Sequence, residues 1–153
     1  MKLVRQTDED WHYLLDENEF IVLQALLEKF PFTDPVRGKI TKTDGEPKTR
    51  DREKLLNESL AEHRKELQEM AGHLIAPEKL QHQGKDFEMI LSPDERETLL
   101  QILNDIRIGC WHALGQPDKL EPKSEQLSEE ELANFSLMNV AGYFEHSLVE
   151  RGE

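Results

Sequence analysis

One arginine lies where an apolar side chain is expected, in the segment LNDIRIGCW. On a helical wheel Arg107 falls inside the apolar arc of its helix, between Leu103 and Leu114, whereas Asp105 points to the opposite side. A guanidinium stays protonated and is costly to bury alone, so it needs a carboxylate, carbonyl groups or an aromatic ring as partner. We therefore expect Arg107 to be mostly buried and paired, either within the core or as the anchor of a site that binds an anionic group.

Four further residues could complete a binding site around this arginine. Trp111 follows one turn later on the same helix and can offer its ring to the guanidinium. A later helix supplies polar candidates, namely Asn139, Tyr143 and His146. The ligand of such a site would be an anionic small molecule or the carboxylate of a partner, and catalysis at the site is an open alternative. The helix-start acids Asp16 and Glu19 are other possible partners for the guanidinium, as are the polar residues of the last helix.

Other reactive side chains lack the spacing of a catalytic or metal site. Cys110 and His112 point about 200° apart on a helix, so they cannot bind one metal ion. Cys110 also lies in the apolar arc, which favours a buried thiol over an exposed nucleophile. The six histidines show no ligand spacing, and no glycine-rich phosphate loop, nucleophile elbow or pair of catalytic carboxylates appears. The sequence predicts neither a metal nor a cofactor and favours binding over catalysis.

The distribution of charge and apolar residues limits the classes of partner. The net charge is −13, although residues 31–54 hold seven lysines and arginines against five acids and are typical of a solvated linker. An acidic body repels phosphate backbones, which disfavours nucleic-acid binding. There is no apolar run as long as a membrane span and no apolar signal core at the start, and the single cysteine cannot form an intramolecular disulfide. We expect a cytoplasmic protein.

The apolar periodicity predicts a mainly α fold, a helical bundle of about four helices with a small β-sheet at one end. The helices are expected near 16–30, 50–75, 92–115 and 128–150. Short apolar runs at 2–5, 11–15 and 86–91 predict strands of one sheet, because a lone strand cannot satisfy its backbone. The length suits a single domain, 1–153, in which residues 31–49, with three prolines and two glycines, form a long mobile loop.

Two segments share a pattern of strand, capping box and helix. Residues 13–27, YLLDENEFIVLQALL, align without gaps with residues 89–103, MILSPDERETLLQIL, at an offset of 76 positions. In both, a capping side chain is followed three residues later by a glutamate: Asp16 with Glu19, and Ser92 with Glu95. The pattern is compatible with a duplication and also with the coincidence of two capped helices.

Two predicted helices have apolar stripes that need a cover. The helix near 50–75 has one stripe, which we expect to be buried, and His63 within it is expected to be a structural residue. The residues of this stripe are Leu56, Leu60, His63, Leu67, Met70, Ala71 and Leu74. The last helix is apolar on two sides, so it lies either at the centre of the bundle or against another chain. We favour the central position. The alternative is a homodimer through the second stripe, at Leu137, Val140, Phe144 and Leu148.

The segments FIVLQALL and LSPDERETLLQILNDIRIGCWHALG resemble the uncharacterised bacterial family catalogued as domain of unknown function 2017. In that family a capped helix carries a run similar to LNDIR and ends in Leu-Gly, here Leu114 and Gly115. The resemblance lies in two patches of the chain, which departs from the family in its long basic loop and in GCWHA. The family has no established activity, and its members are often encoded beside the adaptor of the Clp protease. The resemblance therefore implies a role near regulated proteolysis, as a regulator or adaptor of the Clp protease machinery. Independently of it, we expect a non-catalytic module that binds another protein through the second apolar face of the last helix or through the loop at 31–49.

Overall fold

The computed structural model describes residues 1–30, 47–76, 80–116 and 127–150. The strands of these residues are β1 (Lys2–Gln6), β2 (Trp11–Leu15), β3 (Leu80–Gln83) and β4 (Asp86–Leu91). The helices are α1 (Glu17–Glu28), α2 (Pro47–Leu74), α3 (Pro93–Ala113) and α4 (Glu129–Val149). The protein is mainly α with a small sheet, as predicted. Most of the loop expected at 31–49 lies outside the described residues, and its last three positions begin α2 instead.

The four strands form one antiparallel sheet in the order β1-β2-β4-β3. The three predicted strands pair with one another as expected, whereas the edge strand β3 was missed because LQHQ has little apolar character. Its connection to β4 is a two-residue turn, since Gln83 pairs with Asp86. The turn begins at Gly84, whose φ of +66° is the backbone conformation that tight hairpins require.

The pairing of the two central strands, β2 and β4, is centred on two equivalent positions of the repeated sequence pattern. These are Tyr13 and Met89, which are 76 positions apart and lie opposite each other. The pairing extends two residues to either side of them. Each central strand has its own hairpin partner on the outside of the sheet and is followed by two helices. The described residues therefore form two ββαα units, an arrangement that favours duplication over coincidence.

Both predicted capping boxes form and fix where α1 and α3 begin. The side chain of Asp16 accepts from the Glu19 backbone N–H at 2.7 Å, and the Glu19 carboxylate accepts from the Asp16 N–H at 3.2 Å. Ser92 and Glu95 make the same reciprocal pair at 3.1 and 3.3 Å. These bonds satisfy N–H groups of the first turn that have no partner within the helix.

The core lies between one face of the sheet and the helices. The sheet contributes side chains that are almost fully buried, namely Tyr13, Leu15, Met89 and Leu91. The central position that we favoured holds for one face of the last helix, since Phe144 is 1% and Leu148 0% exposed, whereas Tyr143 and Val149 of its other stripe are 51% and 54% exposed. The alternative, a homodimer surface at Leu137, Val140, Phe144 and Leu148, does not hold at Phe144 and Leu148, which the chain itself buries.

Arg96, which the apolar pattern does not single out as a structural residue, connects β2, α3 and α4. Arg96 donates from Nε to the Leu148 carbonyl at 2.9 Å and to the Tyr13 hydroxyl at 3.1 Å, and from Nη2 to the same carbonyl. Its guanidinium also lies over the Trp11 ring, 4.2 Å from the centroid. The last carbonyls of a helix have no helical donor and form its negative end, so a cation is favourable there.

The long helix α2 is covered only near its C-terminus. Leu67, Ala71 and Leu74 are buried, whereas Leu56 and Leu60, further up the same stripe, are 46% and 41% exposed. The predicted surface helix is confirmed, but most of its apolar stripe is open. His63, which was expected on a buried face, is exposed as well.

Candidate functional site

Arg107 lies at the mouth of a cleft between α3 and α4. Its side chain is 47% exposed, and its Nη1 is 3.0 Å from Oε2 of Glu145 on α4. The expectation that Arg107 pairs with an acid or polar group of the first or last helix is met by Glu145, which was not among the named candidates, but the prediction that Arg107 is mostly buried is wrong. Gly142 of α4 lines the same cleft and offers no side chain to cover Arg107, and a Cβ at this position would meet no atom within 4 Å.

The cleft has a volume of about 560 Å³, within the range of about 300 to 1,000 Å³ that is typical of ligand pockets. It brings together three of the five predicted site residues, namely Arg107, Trp111 and Asn139. The rest of the lining is apolar or lacks a side chain: Ile108, Met138 and Gly142. One cation, one amide and an indole ring thus stand over an apolar surface, a combination suited to a ligand with an anionic end and an apolar body.

The other two predicted site residues, Tyr143 and His146, do not line this cleft. The Tyr143 hydroxyl donates to Oε2 of Glu19 at 2.8 Å and accepts from the Met1 amino group at 2.9 Å, so it links α4 to α1 and β1. The Met1 amino group also forms an ion pair with Glu19. His146 is exposed. The expectation that these two side chains join the Arg107 site is therefore wrong.

Glu145 is the functional candidate that the sequence pattern did not reveal. It follows Met138 by seven positions and Gly142 by three, the spacing of one helix face, so the signal was present in the sequence. Its carboxylate is 16% exposed, and Oε1 is buried with no hydrogen-bond partner among the described residues. Burial raises the pKa of Glu145 above its ordinary value, and the neighbouring Arg107 partly opposes this rise.

Loss of the Arg107 cation is expected to cost little stability, and the cost should depend on pH. In Arg107→Met we expect the free energy of unfolding at neutral pH to fall by about 1 kcal/mol or less, because the ion pair is partly exposed to water. The pKa of Glu145 should rise further, since the charge that lowers it is gone. A raised carboxyl pKa costs stability at pH values above that pKa. The difference from wild type should therefore be largest at neutral pH and shrink as the pH falls and Glu145 protonates.

Urea unfolding at several pH values, together with a carboxyl NMR titration of Glu145, measures both effects. Arg107→Ala serves as the companion variant and differs only in losing the contacts of the aliphatic stem. If the free energy of unfolding fell by several kcal/mol in either variant, Arg107 would have a structural role in the core, because breaking a buried charged pair costs about 3–5 kcal/mol.

The remaining reactive side chains have structural explanations. Cys110 is fully buried, and burial raises the pKa of its thiol to about 11, so the thiolate needed for nucleophilic attack is scarce at neutral pH. Within the described parts of the chain, no group of three or more His, Cys, Asp or Glu side chains is placed to hold a metal ion. The helices of those same parts include none with the length and apolar character needed to span a membrane.

Fold and site together define a mainly α protein in which helices pack on a four-stranded antiparallel sheet and a cleft between two helices exposes one arginine. Comparison of the chain with protein-family models, with curated proteins and with solved structures gave no match. The resemblance to the domain of unknown function 2017 stays a prediction.

Proposed function

We propose that this chain is a non-catalytic binding module whose α3–α4 cleft holds a carboxylate and an adjoining apolar group of a protein partner. The observation that carries the proposal is the half-exposed Arg107 guanidinium at the mouth of a mostly apolar cleft. A solvated arginine beside apolar surface can form charge-assisted hydrogen bonds that a buried, fully paired arginine cannot offer.

Five side chains at the cleft have separate roles in this proposal. Arg107 binds the carboxylate, and Glu145 positions the guanidinium through its contact with Nη1. The Asn139 amide can donate to and accept from a peptide backbone. Trp111 and Met138 supply the aromatic and flexible apolar contacts that are enriched where proteins meet.

The biological setting that we propose is regulated proteolysis, as a regulator or adaptor linked to the Clp machinery. This part rests on the sequence resemblance alone. An adaptor must hold one protein while it contacts another, so the cleft would be one of two contact sites. The net charge of −13 makes the whole chain a poor attractor of acidic partners, and recognition of a carboxylate here would depend on short-range contacts with Arg107.

A free small molecule with a carboxylate and an apolar body is the second candidate ligand, because the cleft volume of about 560 Å³ is sufficient for one. The chemistry recognised is the same in both cases. A peptide that ends in an apolar residue and binds much more tightly than the corresponding free amino-acid derivative would favour the protein partner. Equal affinities would favour the small molecule.

The proposal can be tested by NMR titration with N-acetyl-leucine and with N-acetyl-leucinamide, which lacks only the carboxylate. The signals of the Trp111 indole N–H and the Gly142 amide report on the cleft. We expect the acid to shift both signals and to bind at least about tenfold more tightly than the amide, because a hydrogen bond to a charged group is worth about 1.5–3 kcal/mol. Equal binding of acid and amide, or shifts confined to other residues, would contradict the proposal.

A further inference from the structure

Most of α2 is not buried against any other described part of the chain. It has 28 residues and is therefore about 42 Å long. From Thr49 to Glu66 no described side chain is buried. Most helical stability in proteins comes from packing of an apolar face, and this part of α2 has little of it within its own chain. Its exposed apolar side chains are therefore a candidate contact surface.

The exposed part continues the apolar stripe that packs α2 on the core. Six positions are separated alternately by four and three residues, the spacing of a coiled-coil seam: Leu56, Leu60, His63, Leu67, Met70 and Leu74. Leu67 and Leu74 are buried by the chain itself, but Leu56 and Leu60 face solvent. The seam thus extends beyond the part that its own chain covers.

We propose that a second copy of this chain covers the exposed seam, with the two α2 helices packed antiparallel. The charge of the helix supports this occupant. Residues 50–54 carry three cations and two acids, whereas residues 58–69 carry four acids and two cations. An antiparallel pair therefore places the positive end of each helix against the negative part of the other. Residues 50–69 are also nearly neutral, at five cations and six acids, in a chain of net charge −13, so two copies meet there with little repulsion.

The pattern also selects a register for the pair. With the twofold axis beside Glu58, Leu56 of each copy packs against Leu60 of the other, and Glu58 itself points to solvent. Arg52 then lies on the same flank as Glu66 of the other copy, which makes an opposite-charge contact twice in the dimer. The other flank brings Arg50 toward Arg64.

A groove beside α2 receives the end of the second helix in this register. It has a volume of about 450 Å³ and lies between α2 and α3, where Leu60, His63 and Leu67 face Phe30 and Ile108. Asp105 shares this groove with Arg64, so a carboxylate is present on the flank where two arginines approach. The first turns of the other α2 would pass over this groove and extend the contact beyond the seam.

Sedimentation velocity of the whole chain, from low micromolar to millimolar concentration, tests the proposal. We expect a reversible dimer whose dissociation constant rises by at least about a hundredfold in Leu60→Glu, because each substitution removes a leucine contact twice. Leu55→Glu is the matched control. Leu55 is 66% exposed on the same helix but points away from the seam, so its replacement should leave the dimer unchanged. A wild-type chain that stays monomeric at millimolar concentration would overturn the proposal, as would a dimer that resists Leu60→Glu.

A charge exchange tests the antiparallel orientation. Arg52→Glu alone and Glu66→Arg alone should each raise the dissociation constant by about three- to tenfold, since each places like charges together at two points. The double variant should restore the wild-type value, because the opposite charges meet again. In a parallel pair Arg52 and Glu66 do not face each other, so the absence of this rescue would contradict the proposed orientation.

Discussion

The Phe144→Asp variant is expected to be unfolded at room temperature. Phe144 is 1% exposed within a single chain, so the substitution both removes a packed ring and places a carboxylate among apolar side chains. Loss of the ring alone costs about 3–5 kcal/mol, and a buried unpaired charge adds several more, against a total stability of about 5–15 kcal/mol for a domain. Far-ultraviolet circular dichroism and the dispersion of amide NMR signals measure the outcome.

Tyr143→Asp is the control for this experiment, because Tyr143 is the adjacent residue of the same helix and is 51% exposed. That variant should stay folded, with only the loss of the Tyr143 hydrogen bonds to Glu19 and Met1. A folded Phe144→Asp chain that differs from wild type only in its oligomeric state would instead place Phe144 between two copies. That result would contradict the central position of α4.

The second large effect is expected at Arg96. Its guanidinium binds the Leu148 carbonyl, the Tyr13 hydroxyl and the Trp11 ring, so Arg96→Ala removes three contacts at once. Hydrogen bonds to a charged group are worth about 1.5–3 kcal/mol and a cation–π contact about 0.5–1 kcal/mol, and these contributions are not additive. We expect the free energy of unfolding to fall by about 2–4 kcal/mol. Urea unfolding measures it.

Two companion variants show which feature of Arg96 matters. Arg96→Lys keeps the positive charge near the end of α4 but not the planar fork, so its loss of stability should be intermediate. Arg5→Ala removes an exposed arginine of β1 and should change stability by no more than about 0.5 kcal/mol. If Arg96→Ala changed the free energy of unfolding as little as Arg5→Ala does, the contacts of Arg96 between α3 and the last turn of α4 would not stabilise the fold.

Local signals were sufficient to predict most of the fold. The caps Asp16 and Ser92 precede the two helices that they were expected to begin, because capping depends on neighbours within one turn. Strand β3 was missed because its pairing is decided by β4 and by the turn at Gly84 rather than by its own four residues. The exposed stripe of α2 was also missed, since periodicity predicts a stripe but not what covers it.

The site depended on contacts that are distant in the sequence. A polar or acidic partner for Arg107 was predictable from the cost of leaving a guanidinium unpaired, but the cleft itself depends on how α4 packs on α3, which no local signal in the sequence gives. Asn139 was placed correctly, whereas Tyr143 turned toward α1 because Glu19 offers it a carboxylate. Arg96 looked like an ordinary charge of a first helical turn, and its partner Leu148 is 52 residues away.

The most direct test of the proposed function is to fill the cleft at Gly142 and measure the binding of N-acetyl-leucine. A Cβ at this position meets no atom within 4 Å, so Gly142→Ala should bind the acid as wild type does and should gain about 0.5–1 kcal/mol of helix stability. Gly142→Leu should keep the fold but place its side chain in the cleft that Gly142 lines with Arg107, and we expect it to abolish binding. A Gly142→Leu chain that is folded and binds the acid as tightly as Gly142→Ala would show that the α3–α4 cleft is not the binding site.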